Sequence, residues 1–293
     1  MPEALQPRRP RMPAALLMLA PAAAALLSFA VLPLAFIGVY SFWLSLGPAA
    51  VKETLTLANW RQFFADPYYL DVLGATVKYA AVTTAICAVI GYVPAYCLAF
   101  SASKRKNLYI LLLFLPFWIS YVIRTMSWIN VLGKKGLVNE ILTGLGLVSE
   151  PIAMLYNAAS VYMGLINYLL PFMIINVYVG LTGIDRNLLD AARTLGATES
   201  QVFRAITLPL SLPGLGAGCL LCFVISAGSF VTPLILGGPE NVFFSNLIFN
   251  RVIAQLDFPF GATLSLVLFV LLGTVVMVYS RYAGIGQLMK SFS

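Results

Sequence analysis

The side chains whose type and spacing invite chemistry are few: a CxxC pair, Cys219 and Cys222, and one arginine, Arg124, inside an apolar run. A CxxC exchanges disulfides or holds a metal when a thiol is readily ionised, which takes positive charge or a polar setting. The pair instead lies within an apolar stretch, and so do Cys87 and Cys97, so four reduced thiols used for packing are expected. The chain has no histidine, which removes the commonest general acid or base and the commonest metal ligand. It also lacks a GxxxxGK[ST] phosphate loop, so ATP hydrolysis would need another subunit. No catalytic residue, metal ligand set or cofactor is expected.

The elements around these residues are membrane spans. Of 293 residues, 60% are apolar and only 10% charged, and the mean hydropathy is +0.90, against roughly 25% charged in soluble domains. A transmembrane helix takes about 20 apolar residues. Six segments qualify, near 14–40, 79–100, 108–132, 152–181, 214–236 and 260–280, which predicts an all-α integral membrane protein. The first follows Arg8, Arg9 and Arg11, as a signal peptide would, but the uncharged run from Met12 to Val51 far exceeds a signal core of about 7–15 residues, so an uncleaved anchor is expected.

Basic residues set the orientation. Eleven fall on one side (Arg8, Arg9, Arg11, Lys104, Arg105, Lys106, Arg186, Arg193, Arg204, Arg281 and Lys290) and five on the other (Lys52, Arg61, Lys134, Lys135 and Arg251). Both termini are therefore expected in the cytoplasm. The expected order is a tail over 1–13, the first span, an outer segment over 41–78, a core over 79–282 that includes a cytoplasmic loop at 183–212, and a tail over 283–293. The net charge of +7 follows from this alternation and calls for no nucleic acid.

The cytoplasmic loop reads as two short helices. Asp185 or Asn187 caps the first, and Leu188, Leu189, Ala192 and Leu195 fall on one apolar stripe. Gly196 ends it, and Thr198 caps the second at the Thr-x-x-Gln spacing of a capping box, with Val202, Phe203 and Ile206 facing inward. Pro209 and Pro213 mark entry into the fifth span.

Asp190-Ala191-Ala192, three residues, Gly196, nine residues, then Ile206-Thr207-Leu208-Pro209 resembles the EAA loop of type I ABC importer permeases. Asp190 stands where that family usually has glutamate. The resemblance implies that Asp190, Ala191, Ala192, Arg193, Leu195, Gly196, Ala197, Phe203, Ile206 and Pro209 form a coupling element docked on a cytoplasmic ATPase dimer. It also implies a second, homologous permease subunit, expected to differ from this one, a periplasmic substrate-binding protein, and a place in the lipid of a bacterial inner membrane. From about Leu57 onward the chain is similar to the spermidine/putrescine permease branch. Asn59-Trp60, Leu115-Pro116-Phe117-Trp118 with Arg124, Gly136-Leu137-Val138-Asn139, Leu170-Pro171-Phe172 and Pro259-Phe260-Gly261-Ala262 carry that similarity. Polyamines, other amines, amino acids, phosphonates and small organic acids are the cargoes it leaves open.

A buried charge inside a bilayer is costly and marks function by default. Arg124 has three readings: it lines or gates a path, it satisfies carbonyls at a broken helix, or it snorkels outward. The six spans hold no aspartate or glutamate, which disfavours a proton-coupled carrier and leaves a cation to aromatic faces and carbonyls. Tyr121, Trp128, Tyr168 and Phe230 are candidate aromatic contacts in the path, with Tyr178 also considered, and Asn130, Asn167, Asn176 and Ser226 are candidate polar contacts. Pro94, Pro116, Pro171 and Pro233 are expected to interrupt spans two to five, and Gly214 and Gly218 to allow close helix packing.

Overall fold

The computed structural model describes residues 12–291 apart from 102 and 104. The expected basic residues Arg8, Arg9, Arg11 and Lys104 lie outside the described residues. Five helices among those described are long and apolar enough to cross a bilayer, and a bent pair, if it is one span, brings the number to six.

Helix α1 (Met12–Tyr40) is apolar all round and, among the described residues, rests on the rest of the chain chiefly along α12. A two-stranded antiparallel hairpin follows, β1 (Trp43–Gly47) and β2 (Ala50–Leu55), an element the sequence reading did not anticipate within the outer segment. The buried Asn59 on α2 (Ala58–Ala65) ties it down, its amide donating to the carbonyls of Ser41 and Trp43 at 2.9 Å each.

Helix α3 (Pro67–Phe100) starts twelve residues before the span expected at 79. Asp66 caps it by accepting from the Tyr68 amide at 3.0 Å, and Pro67 occupies the first turn, where no amide is needed. Hydropathy locates the most apolar stretch, whereas the helix starts earlier and carries Asp71 and Lys78.

The single span expected over 108–132 is broken. Helix α4 (Lys106–Phe114) passes into a tight 3-10 turn, Leu115–Trp118, and α5 (Tyr121–Leu132) then leads to the short lateral helix α6 (Leu137–Gly144). The two limbs meet at 88°. Pro116 lacks an amide, and Ile119 and Ser120 adopt extended backbone, so helical bonding cannot cross this point.

Helix α7 (Ala158–Thr182) begins at a reciprocal Asn157–Ser160 capping box. After a hairpin of two short helices, α8 (Arg186–Thr194) and α9 (Glu199–Val202), a π-helical turn at Phe203–Thr207 feeds α10 (Leu208–Ala227). The fifth span, expected over 214–236 with an interruption at Pro233, stops at Gly228 and resumes at Val231, just before a π-helical turn, Pro233–Gly237. Of the four prolines expected to interrupt helices, Pro116 and Pro233 do so, while Pro94 and Pro171 lie inside the continuous α3 and α7. An outer lateral helix, α11 (Phe244–Phe249), extends through Asn250–Ala254. The last helix, α12 (Phe258–Ser291), absorbs most of the tail expected over 283–293.

Helices α3, α7 and α10 form the centre. One buried cluster joins Cys87, Ala95 and Ala99 of α3, Leu169, Met173 and Val177 of α7 and Cys222 of α10, and continues into the cytoplasmic hairpin through Ile184, Leu189 and Val202. Backbones approach closely where α7 meets α10: a Cβ on Gly214 would lie 2.8 Å from the Gly180 Cα and 2.8 Å from the Asn176 carbonyl oxygen. A second cluster at the outer end packs Phe63, Tyr69 and Phe244 against Phe260 and Leu264 of α12.

Candidate functional site

The α8–α9 hairpin is built by local hydrogen bonds. Asp185 accepts from the Asn187 amide at 2.9 Å to start α8. The α8 end closes through Gly196, whose φ of +87° is left-handed, with the Ala197 amide donating to the Ala192 carbonyl at 3.1 Å. Thr198 caps α9, the Gln201 side chain accepting from the Thr198 amide at 2.8 Å.

Its inner face belongs to the membrane core. Leu189 and Val202 are buried, Ala192, Ala197 and Ile206 are half-buried against the same cluster, and Phe203 sets its ring edge-on to Tyr92 and Tyr96 of α3. The expected apolar stripe splits. Leu189 points inward, whereas Leu188 is exposed and Leu195 is 87% exposed. Leu195 lies past the end of α8, so it no longer follows the helical repeat. Asp190, Ala191, Arg193, Gly196 and Pro209 share the outer surface, and nothing approaches the Gly196 α-carbon on its side-chain side.

Arg193 braces the two short helices. Its guanidinium donates two parallel bonds to the Glu199 carboxylate, at 2.8 and 3.1 Å, and a third to Asp190 at 2.8 Å. These bonds from Arg193 hold the Glu199 carboxyl below the usual carboxylate range, and the bonds to Glu199 and then Asp190 push the Arg193 guanidinium pKa up. Glu199 was not among the residues expected from sequence.

The second site lies where two broken spans meet. Tyr121, first residue of α5, shares hydroxyl hydrogen bonds with Ser229 at 3.1 Å and Thr232 at 2.5 Å, at the interruption of the fifth span. The freed carbonyls there are satisfied from α11: Ser245 donates to Ser229 and the Asn246 amide to Phe230. Arg124, one turn on from Tyr121, donates to the Pro116 carbonyl at 3.1 Å, and its guanidinium stands over the rings of Phe117 and Tyr168 at 5.0 and 5.3 Å. Tyr168 stacks on Tyr121 at 4.5 Å. Among the described residues the ion pairs are those of Arg193, so Arg124 has carbonyl and aromatic partners but no carboxylate.

Tyr121, Arg124 and Tyr168 thus come together, with the exposed Asn167 next to Tyr168. Half-buried Trp128 and exposed Asn130 lie further along α5. Asn176 spends its amide on the Phe172 carbonyl of its own helix, Ser226 is fully buried, and Phe230 leans on Phe249 with ring centroids 4.5 Å apart. Sequence reasoning missed Ser120 and Ser127. With Arg124 and Asn130 they recur every three or four residues along one face of α5, a polar stripe that was legible. It also missed Ser229 and Thr232, which lie more than a hundred positions from Tyr121 and carry no local signal.

Residues 95–283, from the last six residues of α3 through the hairpin and both broken spans to α12, match the family described as the inner membrane component of binding-protein-dependent transport systems. The chain belongs to this family. Among relatives of this binding-protein-dependent permease, the spermidine/putrescine transport system permease protein PotB of Escherichia coli K12 is 37% identical over 231 residues, 79% of this chain and 84% of that one. PotB of Haemophilus influenzae is 34% identical over 256 residues, 87% and 89% of the two chains. Among solved structures, a bacterial alginate ABC transporter superposes with a TM-score of 0.76 at 17% identity, over 92% of this permease and 93% of that chain. A chain of the MetNI methionine ABC transporter gives 0.56 at 17% identity, over 74% and 94%. This permease accordingly has the fold of ABC importer permeases, and the stretch that resembles an EAA loop forms the α8–α9 hairpin within the matched residues.

Proposed function

We propose that this permease forms half of the path of an ATP-driven polyamine importer in the bacterial inner membrane, with α8 and α9 docked on one subunit of an ATPase dimer. The observation that carries the reading is the two-sided hairpin. Leu189 and Val202 are part of the core shared by α3, α7 and α10, while Leu188, Leu195, Asp190 and Arg193 face outward. A push on the outer side therefore moves three spans together.

The remaining partners follow from this reading: a second, homologous permease subunit, expected to be different, completes the path, and a periplasmic binding protein delivers cargo. ATP is hydrolysed by the partner ATPase, and both termini of this chain are cytoplasmic. Spermidine or putrescine is the cargo that the similarity to the PotB permeases supports. Reconstitution of the complete transporter tests it. Uptake of labelled spermidine should require ATP and the binding protein, and replacing Gly196 with tryptophan should leave membrane insertion intact while separating ATP hydrolysis from uptake. Uptake without nucleotide, or unchanged uptake by the Gly196 variant, overturns the coupling role.

A further inference from the structure

A guanidinium without a carboxylate partner cannot sit against lipid tails at low cost, so the face of α5 that carries Arg124 is turned from lipid. The rest of that face agrees. Ser120, the residue just before α5, is followed up the helix by Arg124, Ser127 and Asn130, and Asn167 is exposed on the neighbouring α7. Beside this polar strip lies a group of rings: Phe117 edge-on to Phe172 at 5.0 Å, Tyr168 stacked on Tyr121 at 4.5 Å, and Tyr168 5.9 Å from Phe117. The Arg124 guanidinium occupies this aromatic face, at 5.0 Å from the Phe117 centroid and 5.3 Å from that of Tyr168, within cation–π range of both.

We infer that the Phe117–Tyr168 face is an organic-ammonium site on the transport path, and that Arg124 is a tethered cation filling it until a cargo ammonium displaces it. The inference rests on the polyamine reading and adds to it the place of contact and the group that competes there. The chemistry is that of the rings alone. Their electron-rich faces take an alkylammonium as readily as a guanidinium, and no acid is needed. The tether makes the site weak by design, since arriving cargo must outcompete a cation held at high effective concentration. The same bond from Arg124 to the Pro116 carbonyl fixes the guanidinium at the bend of the third span, so displacement of Arg124 also releases a contact across the 88° break.

The test uses the whole transporter in nanodiscs without nucleotide or binding protein, with equilibrium binding of labelled spermidine as the readout. Arg124→Gln keeps a donor for the Pro116 carbonyl and loses the charge; it should bind spermidine about three- to tenfold more tightly than the unaltered protein, the worth of one such contact. Arg124→Lys presents a smaller, more strongly hydrated cation and should fall between the two. Adding Tyr168→Leu to Arg124→Gln should abolish the gain. Equal binding by the unaltered protein, Arg124→Gln and Arg124→Lys, while the unaltered transporter still imports spermidine with ATP and its binding protein, overturns the inference alone. Failure of the unaltered transporter to import spermidine overturns the polyamine reading and this inference with it.

Discussion

Gly180 and Gly214 touch backbone to backbone, a Cβ on either one falling within 2.9 Å of the other's α-carbon. The contact lies close to the α8–α9 hairpin, near the end of α7 and the start of α10. Neither main chain has room to retreat, so these flanks of the hairpin behave as one body.

Gly214→Ala should therefore destabilise the protein by about 1–3 kcal/mol through overpacking against backbone. Gly273, whose substituted Cβ would meet nothing within 4 Å, is the internal control. Gly273→Ala should be neutral or stabilising by up to about 1 kcal/mol, as alanine is in a helix interior. Thermal unfolding of the two variants in detergent should separate them, and equal melting temperatures would refute the close contact.

Leu195 gives the opposite pairing of stability and function. At 87% exposure its replacement by aspartate should change the stability of the isolated permease by no more than about 0.5 kcal/mol. Docking on the ATPase should fail, seen as loss of the ATPase subunit on co-purification. Retention of the subunit at full stoichiometry would remove Leu195 from the interface.

Acid should loosen the hairpin. The Glu199 carboxyl titrates below its unfolded value because Arg193 donates to it, so the pair contributes fully above the ordinary carboxylate range and is lost as pH falls through the lowered value. Both groups are exposed, so the effect is small and salt-sensitive. A spin label at Ser200 should gain mobility on acidification below about pH 4, and Glu199→Gln should show that mobility already at neutral pH. A label indifferent to both changes would mean that Arg193 does not brace the turn.

Asn139, buried at 1% exposure, holds the short lateral helix α6. Its amide donates to the carbonyls of Gly133 and Ile152, and its oxygen accepts from the Ile152 amide at 2.8 Å. Asn139→Ala leaves three backbone groups without this partner and should cost about 2–4 kcal/mol, with proteolysis in the segment from Leu145 to Ile152 as the local readout. An unaltered cleavage pattern would count against the anchoring role.

The hairpin was readable because its signals are local. Asp185, Gly196 and the Thr198–Gln201 box each act within a few residues, and each sits in the structure at the position its type demands. The break in the third span was half-readable. Pro116 advertises it, but counting apolar residues runs straight through, because a bent span buries as much hydrocarbon as a straight one. The β1–β2 hairpin escaped because what holds it is distant: Asn59 from α2, and the Leu256 carbonyl that accepts from Ala49. The junction of Tyr121 with Thr232 was hidden for the same reason. Side-chain type marks a residue as able to bond, while the partner is selected only when two spans are laid side by side.

Among the described residues helix α1 packs chiefly on α12, and just past its end the Thr263 hydroxyl reaches the Ser41 carbonyl across 222 positions of sequence. The first span to leave the ribosome must therefore wait for the last. At about 5–20 residues per second that interval is on the order of ten to forty-five seconds, during which α1 stands in the bilayer as a lone apolar rod. Closure of the seam is thus a late event in biogenesis, and a nascent chain stalled before Phe258 would carry an unclaimed first helix for quality-control proteases to recognise.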